Sequence, residues 1–296
     1  MKTASRIALV LLLCWTSSSY AQKYFPSAEA TGEALVQALG SEKADSQQLA
    51  NLLGNDWNTY IPTKDVDRKD VDAFLSLYKE SHQVQSDSQK RAHLVVGNTP
   101  WIFPIPIRHS AGGWAFDTKA GAEEIRQRRI GRNELATIQA ARAYHDAQMD
   151  YAEIDRNGDG LLEYAQKFMS SDGAFDGLYW PEVDGVEESP LGPLFGDAAK
   201  RDDWHGYHYR ILTAQGPSAP GGAYDYKIGD HMTRGFAVIA WPANYADTGV
   251  MSFMISHDGE LFEKDLGRDS AKRAAAITRF DPDSSWSEIK DEAAGR

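Results

Sequence analysis

The spacing of hydrophobic residues divides the first part of the chain into a helical segment and a strand-rich one. Between residues 28 and 81, apolar residues recur at intervals of three and four in three short stretches, the pattern of amphipathic helices. A polar stretch at 83–90 is expected to be a surface loop, and the shorter apolar runs after it predict strands. These strands are expected at 92–96, 101–107 and 113–116. The pattern therefore predicts an N-terminal helical lobe with a small antiparallel sheet.

The strongest helical periodicity in the chain lies between residues 133 and 154. Apolar side chains recur there every three or four residues, from Leu135 to Ile154, which predicts a helix of about 20 residues. A separate helix is expected to begin after Asp117 and to be interrupted at Gly131, because glycine disfavours a helix interior. Asn133 has the side chain needed to cap the helix that follows.

The remainder of the chain combines a loop-rich stretch with several short strands. Residues 170–203 are rich in glycine, proline and acidic residues and are expected to be mostly loop. Asp258-Gly259 lies between two apolar runs and indicates a hairpin. Strands are predicted at 207–214, 224–228, 235–241, 250–256 and 260–264, with a terminal helix at 270–278. The pattern as a whole predicts an α+β fold in which a long helix packs on an antiparallel sheet.

An acidic loop follows the long helix and has the spacing of a calcium-binding loop. In EF-hand-type loops, oxygen ligands come from positions 1, 3, 5, 7 and 9, and a glycine at position 6 permits the sharp turn. Counting from Asp155, Gly160 takes position 6. The expected ligands are the side chains of Asp155, Asn157, Asp159 and Glu163 and the main-chain carbonyl of Leu161. Calcium is the cofactor that this spacing predicts, and the alternative is an acidic turn that caps the flanking helices without a metal.

One position of the loop departs from that pattern. Gln166 stands at position 12, where a glutamate usually binds calcium through both oxygens. The loss of that ligand predicts weak binding, in the range of about 10⁻⁴ to 10⁻³ M found in extracellular modules. Because an EF-hand loop has a helix on each side, residues 164–169 are expected to form a short exit helix.

The N-terminus and the charge indicate an exported protein. Residues 1–21 combine Lys2 and Arg6 with a short apolar run and small residues before Gln22, the pattern of a cleaved secretory signal. The chain has 31 basic and 43 acidic residues, a net charge of −12, which becomes −14 without those two basic residues. Such a charge repels phosphate backbones. We therefore expect a periplasmic or secreted protein with no nucleic-acid partner and no transmembrane segment after signal cleavage.

The sequence contains no recognisable catalytic signature. Serine-elbow, zinc-protease, phosphate-loop and dinucleotide-binding patterns are missing, and the single cysteine, Cys14, lies in the expected signal. An enzyme, if there is one, would be an envelope hydrolase or glycan-processing enzyme with a cleft between the two lobes. The residues proposed to line that cleft are Arg128, Arg132, Tyr179, Trp180, His205 and His208. The two histidines suit a metal poorly, because positions 205 and 208 of a strand point to opposite faces.

Four segments are distinctive enough to suggest a family. They begin at Gly113, Arg128, Asp176 and Tyr209 and read GWAFDTKAG, RRIGRNEL, DGLYWP and YRILTAQG. On these segments the chain resembles the DUF2950 family of exported bacterial proteins of unknown function. The resemblance extends over nearly the whole chain after the signal, and it implies no activity.

A second resemblance concerns the C-terminal part. Residues 133–144, 206–210, 235–242 and 248–253, followed by Asp258-Gly259, are similar in order and spacing to the globular head of type IV pilin-like proteins. That resemblance implies a helix packed on an antiparallel sheet, with calcium able to hold a loop in place. The chain departs from it in having a cleavable signal and an extra lobe instead of a hydrophobic stem. The N-terminal lobe, in turn, resembles the cystatin/NTF2-like fold.

These features predict three regions and a non-enzymatic role. The regions are a signal peptide at 1–21, an N-terminal α+β lobe at 22–116 and a pilin-like α+β domain with the calcium loop at 117–290. The expected function is that of an exported, calcium-stabilised protein that binds a protein or envelope partner or assists envelope assembly. A small-ligand carrier is a further option, and it would require a large apolar cavity in the N-terminal lobe.

Overall fold

The computed structural model describes residues 22–61, 66–182, 184–192 and 203–290. The expected signal peptide at 1–21 lies outside these residues. Within them the chain has an α+β fold with helices and antiparallel sheets, as the sequence predicts. It divides into two compact units, Met1–Ile125 and Arg126–Arg296. A search of the described helices finds none that is both long and apolar enough to cross a membrane.

Capping side chains set the starts of the helices in the first unit. The helices are α1 Ala28–Leu39, α2 Ser46–Leu53, α3 Trp57–Tyr60 and α4 Arg68–Glu80. Ser27 Oγ accepts a hydrogen bond from the amide of Ala30, and the Asp45 carboxylate caps α2 in the same way. Asp67 and Asp70 cap α4 reciprocally. The three helices predicted from periodicity are confirmed, and α3 is an additional short turn.

A five-stranded antiparallel sheet follows, in the order β1-β2-β4-β5, with β3 paired to β2. Its strands are β1 His82–Ser88, β2 Arg91–Val96, β3 Trp101–Ile102, β4 Ile107–Ser110 and β5 Gly113–Phe116. The expected loop at 83–90 is wrong, because β1 pairs with β2 while its side chains stay mostly exposed. The strand expected at 101–107 is divided in two, since Pro104 and Pro106 lack the amide donors that a ladder needs.

Apolar burial holds the helices of the first unit to its sheet. Leu35 of α1 and Leu52 of α2 join Leu94, Ile107 and Phe116 of the sheet in one buried cluster. All five side chains are almost inaccessible to solvent. Burial of apolar surface at roughly 25 cal/mol per Å² is the main favourable contribution to this packing.

A single helix, α5 Thr118–Tyr151, follows the first sheet, and the boundary between the two units falls within it. The expected interruption at Gly131 is wrong, because the helix continues through this residue. A Cβ placed on Gly131 would meet nothing within 4 Å, so the position is open as well as helical. The glycine therefore weakens the helix locally without ending it.

The second unit is built on a five-stranded antiparallel sheet in the order β14-β13-β12-β11-β6. Its strands are β6 Tyr207–Leu212, β11 Ala237–Pro242, β12 Met251–Ser256, β13 Leu261–Asp265 and β14 Ser287–Glu288. Two small two-stranded sheets pair β7 Ala214–Gln215 with β8 Tyr224–Asp225, and β9 Lys227–Ile228 with β10 His231–Met232. The terminal helix, α6 Ser270–Ala276, lies where the sequence predicts it.

The part of α5 that belongs to the second unit packs on this sheet. Tyr144 is buried, and its hydroxyl donates to the Ala237 carbonyl at 3.3 Å. Nearer the start of the helix, Glu134 Oε1 accepts hydrogen bonds from the amides of Val250 and Met251 at 2.9 and 3.0 Å. Apolar packing and directed hydrogen bonds together position the end of α5, from which the acidic loop begins.

Candidate metal site

Asp155 folds the acidic loop around its own carboxylate. Its Oδ1 accepts a hydrogen bond from the Gly158 amide and its Oδ2 accepts one from the Gly160 amide, both at 2.8 Å. The two glycines have φ values of 74° and 87°, a left-handed conformation that glycine adopts at little cost. The amide of Gly160, followed by that of Gly158, holds the pKa of Asp155 below its usual range, since these bonds favour the ionised carboxylate.

Three of the predicted side-chain ligands are brought together on this loop. Asn157 Nδ2 donates to Asp159 Oδ2 at 3.0 Å and to Glu163 Oε1 at 2.9 Å. Asn157 Oδ1 accepts from the Asp159 amide at 3.1 Å, and Asp159 Oδ1 accepts from the Leu161 amide at 2.9 Å. The amide group of Asn157 therefore bridges two carboxylates that would otherwise repel each other.

A histidine from a distant part of the chain completes the cluster. His231 Nδ1, on β10, lies 3.4 Å from Asp159 Oδ2 and 3.3 Å from Glu163 Oε2. Asp159, Glu163 and His231 each present a ligand atom within 4.8 Å of the others. The sequence analysis missed His231, because 68 residues separate it from Glu163 and no local spacing connects them.

Two hydrogen bonds to main-chain carbonyls hold the β9–β10 hairpin against the loop. The amide of Tyr164 donates to the Met232 carbonyl at 2.8 Å. Gln166 Nε2, at position 12, donates to the Asp230 carbonyl at 2.6 Å and so is directed at the hairpin. These two bonds place His231 opposite the acidic side chains.

The exit helix expected at 164–169 is wrong. Residues 164–170 contain no helix; instead, the main-chain groups of residues 167–170 pair with residues 178 and 179. The Lys167 carbonyl accepts from the Leu178 amide at 3.1 Å, and the Phe168 carbonyl accepts from the Tyr179 amide at 2.9 Å. Lys167 also hydrogen-bonds Asp176, which lowers the pKa of that carboxyl to about 2. The loop is therefore entered from a helix and left through a strand-like segment.

Arg156, the second residue of the loop, is anchored away from the acidic side chains. Its guanidinium lies 5.0 Å from the ring centre of Tyr151 and 5.1 Å from that of Trp180. Only 10% of the side chain is exposed, and Glu187 Oε2 lies 3.7 Å from Nη1. Burial also raises the pKa of the Tyr151 hydroxyl to about 12. The arginine thus connects the start of the loop to the end of α5 and to the segment around Trp180.

The six residues proposed for a cleft lie in three segments of the second unit. Arg128 and Arg132 are on α5. Trp180 is 4% exposed, with its Nε1 donating to the Glu187 carbonyl at 3.0 Å, and Tyr179 precedes it in a half-buried position.

The two histidines of that set flank the start of β6, His205 in the turn before it and His208 within it, and each lies beside a tryptophan ring. His205 is exposed, has a φ of 54° and lies 5.3 Å from the Trp204 ring. His208 is opposite Trp241 in the sheet, with ring centres 5.7 Å apart.

Asp159, Glu163 and His231 are residue types that could hold a divalent cation. Side-chain and main-chain oxygens suit hard cations such as calcium, whereas an imidazole nitrogen also suits zinc, nickel or copper. Coordination by His231 would require a neutral ring with its Nδ1 lone pair available. The oxygens of Asp159 and Glu163 therefore favour a hard ion such as calcium. The nitrogen of His231 favours a softer ion such as zinc at the same site.

The fold and this cluster define an α+β protein whose second unit carries an acidic loop facing a histidine. The chain belongs to the family described as protein of unknown function (DUF2950), whose model matches residues 22–289. Comparison with curated proteins gives no match, and comparison with solved structures gives none either. The family match confirms the first resemblance drawn from the sequence, and it assigns no activity.

Proposed function

We propose that the protein is exported, binds calcium at the acidic loop and acts as a non-enzymatic interaction or envelope-assembly protein. The observation that carries the proposal is the convergence of Asp159, Glu163 and His231, whose ligand atoms lie within 4.8 Å of one another. Asp155 and Asn157 lie on the same short loop, where their side-chain oxygens accept main-chain amides and would have to turn towards the ion to bind it. This concentration of negative charge is costly unless a cation or hydrogen-bond donors offset it.

Calcium is the ion that the ligand types favour. It accepts six to eight oxygens, and the loop offers four oxygen-bearing side chains together with the Leu161 carbonyl. Position 12 supplies no chelating carboxylate, because it is a glutamine. The Gln166 side chain instead hydrogen-bonds the Asp230 carbonyl. We therefore expect weak binding, with a dissociation constant of about 10⁻⁴ to 10⁻³ M. Zinc is the main competitor, because His231 offers a nitrogen ligand.

A bound ion would act as a local clamp. The loop leaves the end of α5 and contacts the β9–β10 hairpin through the Tyr164 amide and the Gln166 side chain. An ion shared by Asp159 and Glu163 would add a further link in this region. Because an ion that binds only the folded state stabilises it, calcium should raise the free energy of unfolding.

Exposed aliphatic side chains support a role in binding a partner. Leu161 and Leu162 are adjacent within the loop, Ile154 precedes it, and Ile228 lies on the hairpin that contacts it; Leu162 is 58% exposed and Ile228 61%. Apolar surface marks a contact site where it is contiguous, as the two adjacent leucines are in the chain. The burial of Trp180 works against a substrate cleft at that position, since a buried ring cannot stack on a ligand. Both observations favour an interaction protein over a hydrolase.

The pilin-like and cystatin/NTF2-like interpretations belong to the same proposal. A long helix packed on an antiparallel sheet is the arrangement that the pilin resemblance implies, and α5 packs in that way through Tyr144 and Glu134. The first unit has helices followed by an antiparallel sheet, in keeping with the second resemblance. In envelope assembly the protein would then act through a unit that resembles the pilin head, without the hydrophobic stem of a pilin.

Calcium titration of chelator-treated protein tests the proposal. At a calcium concentration ten times the dissociation constant, binding should stabilise the fold by about 1.4 kcal/mol, which raises Tm by about 4 °C. The variant Asp159→Asn should lose both the heat of binding and the Tm shift. Asp172→Asn, which alters an exposed acid outside the loop, should retain them.

Two outcomes would contradict the calcium assignment. One is an absence of heat together with an unchanged Tm in millimolar calcium. The other is a response to zinc alone that disappears in His231→Gln, which would reassign the ion. Affinity capture from an envelope extract, with and without calcium, tests the interaction role. If wild type and Asp159→Asn capture the same proteins, partner binding does not require the bound ion.

A further inference from the structure

A cavity of about 530 Å³ opens in the first unit and is lined by none of the residues of the acidic loop. It lies where the end of α2 and the turn into α3 meet β5 and the start of α5. Its volume falls within the range of roughly 300–1,000 Å³ that is typical of small-molecule sites. The side chains that determine its chemistry are Asn55, Asp56, Tyr60, Arg108, Asp117 and Lys119.

Buried and half-buried hydrogen bonds hold the walls of the cavity in place. The Thr118 hydroxyl donates to the Leu53 carbonyl at 2.6 Å. Gln22 Nε2 donates to the carbonyls of Leu52 and Phe116, each at 2.7 Å. These bonds join the last turn of α2 to β5 and the first turn of α5. Leu53 and Phe116 are themselves buried and supply an apolar floor. The shape of the cavity is therefore set by the fold and does not depend on a ligand.

The charges around the cavity offset one another. Arg108 Nε lies 3.5 Å from Asp117 Oδ2, while Asp117 Oδ1 accepts a hydrogen bond from the Ala120 amide at 3.2 Å. The Lys119 ammonium lies 5.7 Å above the ring centre of Tyr60. In the described structure the Asp56 carboxylate makes no capping bond to α3. Two cations and two carboxylates leave no net charge, which disfavours a strongly charged ligand.

The polar side chains share a geometry that narrows the ligand class. Asn55, Asp56, Arg108 and Asp117 each end in a flat group that presents two hydrogen-bonding atoms side by side. Such groups match the neighbouring hydroxyls of a sugar, which act as donors and acceptors at similar spacing. The ring of Tyr60 offers a flat apolar surface for the C–H face of the same molecule. We propose that this cavity, here called the Tyr60 pocket, binds a neutral saccharide.

A zwitterionic peptide is the competing ligand. Lys119 and Asp56 could each meet one of its charged ends, but such a ligand would leave the paired Arg108 and Asp117 without a role. A neutral sugar would use the amide and carboxylate of Asn55 and Asp56, the Arg108–Asp117 pair and the aromatic ring. The saccharide is therefore the ligand that accounts for more of the observed side chains.

Protein-observed NMR with the neutral disaccharides N,N′-diacetylchitobiose and cellobiose tests the proposal. In tens of millimolar sugar, we expect shifts of the amide signals of residues 54–60 and 117–119. Tyr60→Ala should weaken binding about tenfold, as expected for the loss of one aromatic contact. Tyr60→Phe should bind within about threefold of wild type. Trp101→Ala, which removes an exposed ring outside the pocket, should bind like wild type.

Several results would overturn the assignment. These are an absence of shifts with either sugar, shifts with the dipeptide Ala-Ala in their place, or equal weakening by Trp101→Ala and Tyr60→Ala. Thermal melting of each variant shows whether it is folded. If Tyr60→Ala does not fold, the affinity of Tyr60→Phe still tests the contact between the sugar and the ring. Titrations with and without a calcium chelator should agree, because the pocket shares no residue with the acidic loop. A negative result for calcium binding would therefore not contradict saccharide binding, and a negative result for saccharide binding would not contradict calcium binding.

Discussion

Arg156 shows how tertiary packing can change the role of a single residue. In the sequence it stands between Asp155 and Asn157 and has the character of a solvent-exposed charge within an acidic turn. In the structure its guanidinium lies between the rings of Tyr151 and Trp180, and its Nε finds no hydrogen-bond partner within the described part of the chain. The contact with the two rings therefore carries most of what holds this side chain in place.

Replacing Arg156 should destabilise the second unit. We expect Arg156→Ala to lower the free energy of unfolding by about 2 kcal/mol, because it removes two cation–π contacts and the packing of the aliphatic stem. Arg132→Ala, at an exposed position of α5, should change it by less than about 0.5 kcal/mol. Urea unfolding followed by tryptophan fluorescence measures both values. Equal effects of the two variants would show that the contact with the rings contributes nothing.

At the scale of an element, α5 differs from its prediction because tertiary contacts outweigh helix propensity. Gly131 costs roughly 0.5–1 kcal/mol relative to alanine in a helix interior. The contacts that α5 makes on the second sheet, through Glu134 and Tyr144 among others, offset this cost. The helix therefore continues where the local sequence favours a stop.

The two glycines of α5 should respond in opposite directions to alanine. Gly131→Ala should stabilise the protein by about 0.5–1 kcal/mol, because the position is helical and a Cβ would meet nothing within 4 Å. Gly121→Ala should destabilise it, since a Cβ there would lie 2.7 Å from Ile105 Cγ1 and 2.9 Å from Ile105 Cα. Paired thermal and urea melts decide between these signs. A loss of stability in Gly131→Ala would contradict the continuous helix.

The secondary structure of β1 and of the segment after the acidic loop was predicted wrongly from the sequence. The side chains of β1 are mostly polar and exposed, with Val84 alone among them packed against the core, so its strand character arises chiefly from backbone pairing with β2. Residues 167–170 follow a loop that usually precedes a helix, yet their backbone groups pair with residues 178 and 179. In both cases backbone pairing with a neighbouring segment decides the conformation, and the side-chain pattern of the segment itself does not show that pairing.

At the scale of the whole molecule, the acidic charge and the N-terminal segment bear on where the protein acts. Its net charge of −12 favours cations and basic partners and suits a compartment in which calcium reaches millimolar levels. The affinity expected for a loop without a twelfth-position carboxylate matches that range. Export and weak calcium binding therefore belong to one consistent proposal.

Fractionation of cells that express the full chain tests export. The protein should appear in the periplasmic or secreted fraction with Gln22 as its first residue, as determined by mass spectrometry. Ala21→Leu, which places a bulky residue before the cleavage position, should leave most of the protein uncleaved and bound to the membrane. Retention of residues 1–21 in a soluble cell-interior fraction would contradict export.

The sequence by itself determined the local features of this protein. Periodicity and capping residues predicted the main helices, apolar runs predicted most strands, and the spacing from Asp155 to Glu163 predicted an oxygen-rich turn, because each depends on neighbours within a few residues. Only the tertiary structure placed His231 against that turn, buried Arg156 between two rings and opened the Tyr60 pocket. Those features join residues far apart in the chain, and it is the packing of sheets and helices that brings them within contact distance.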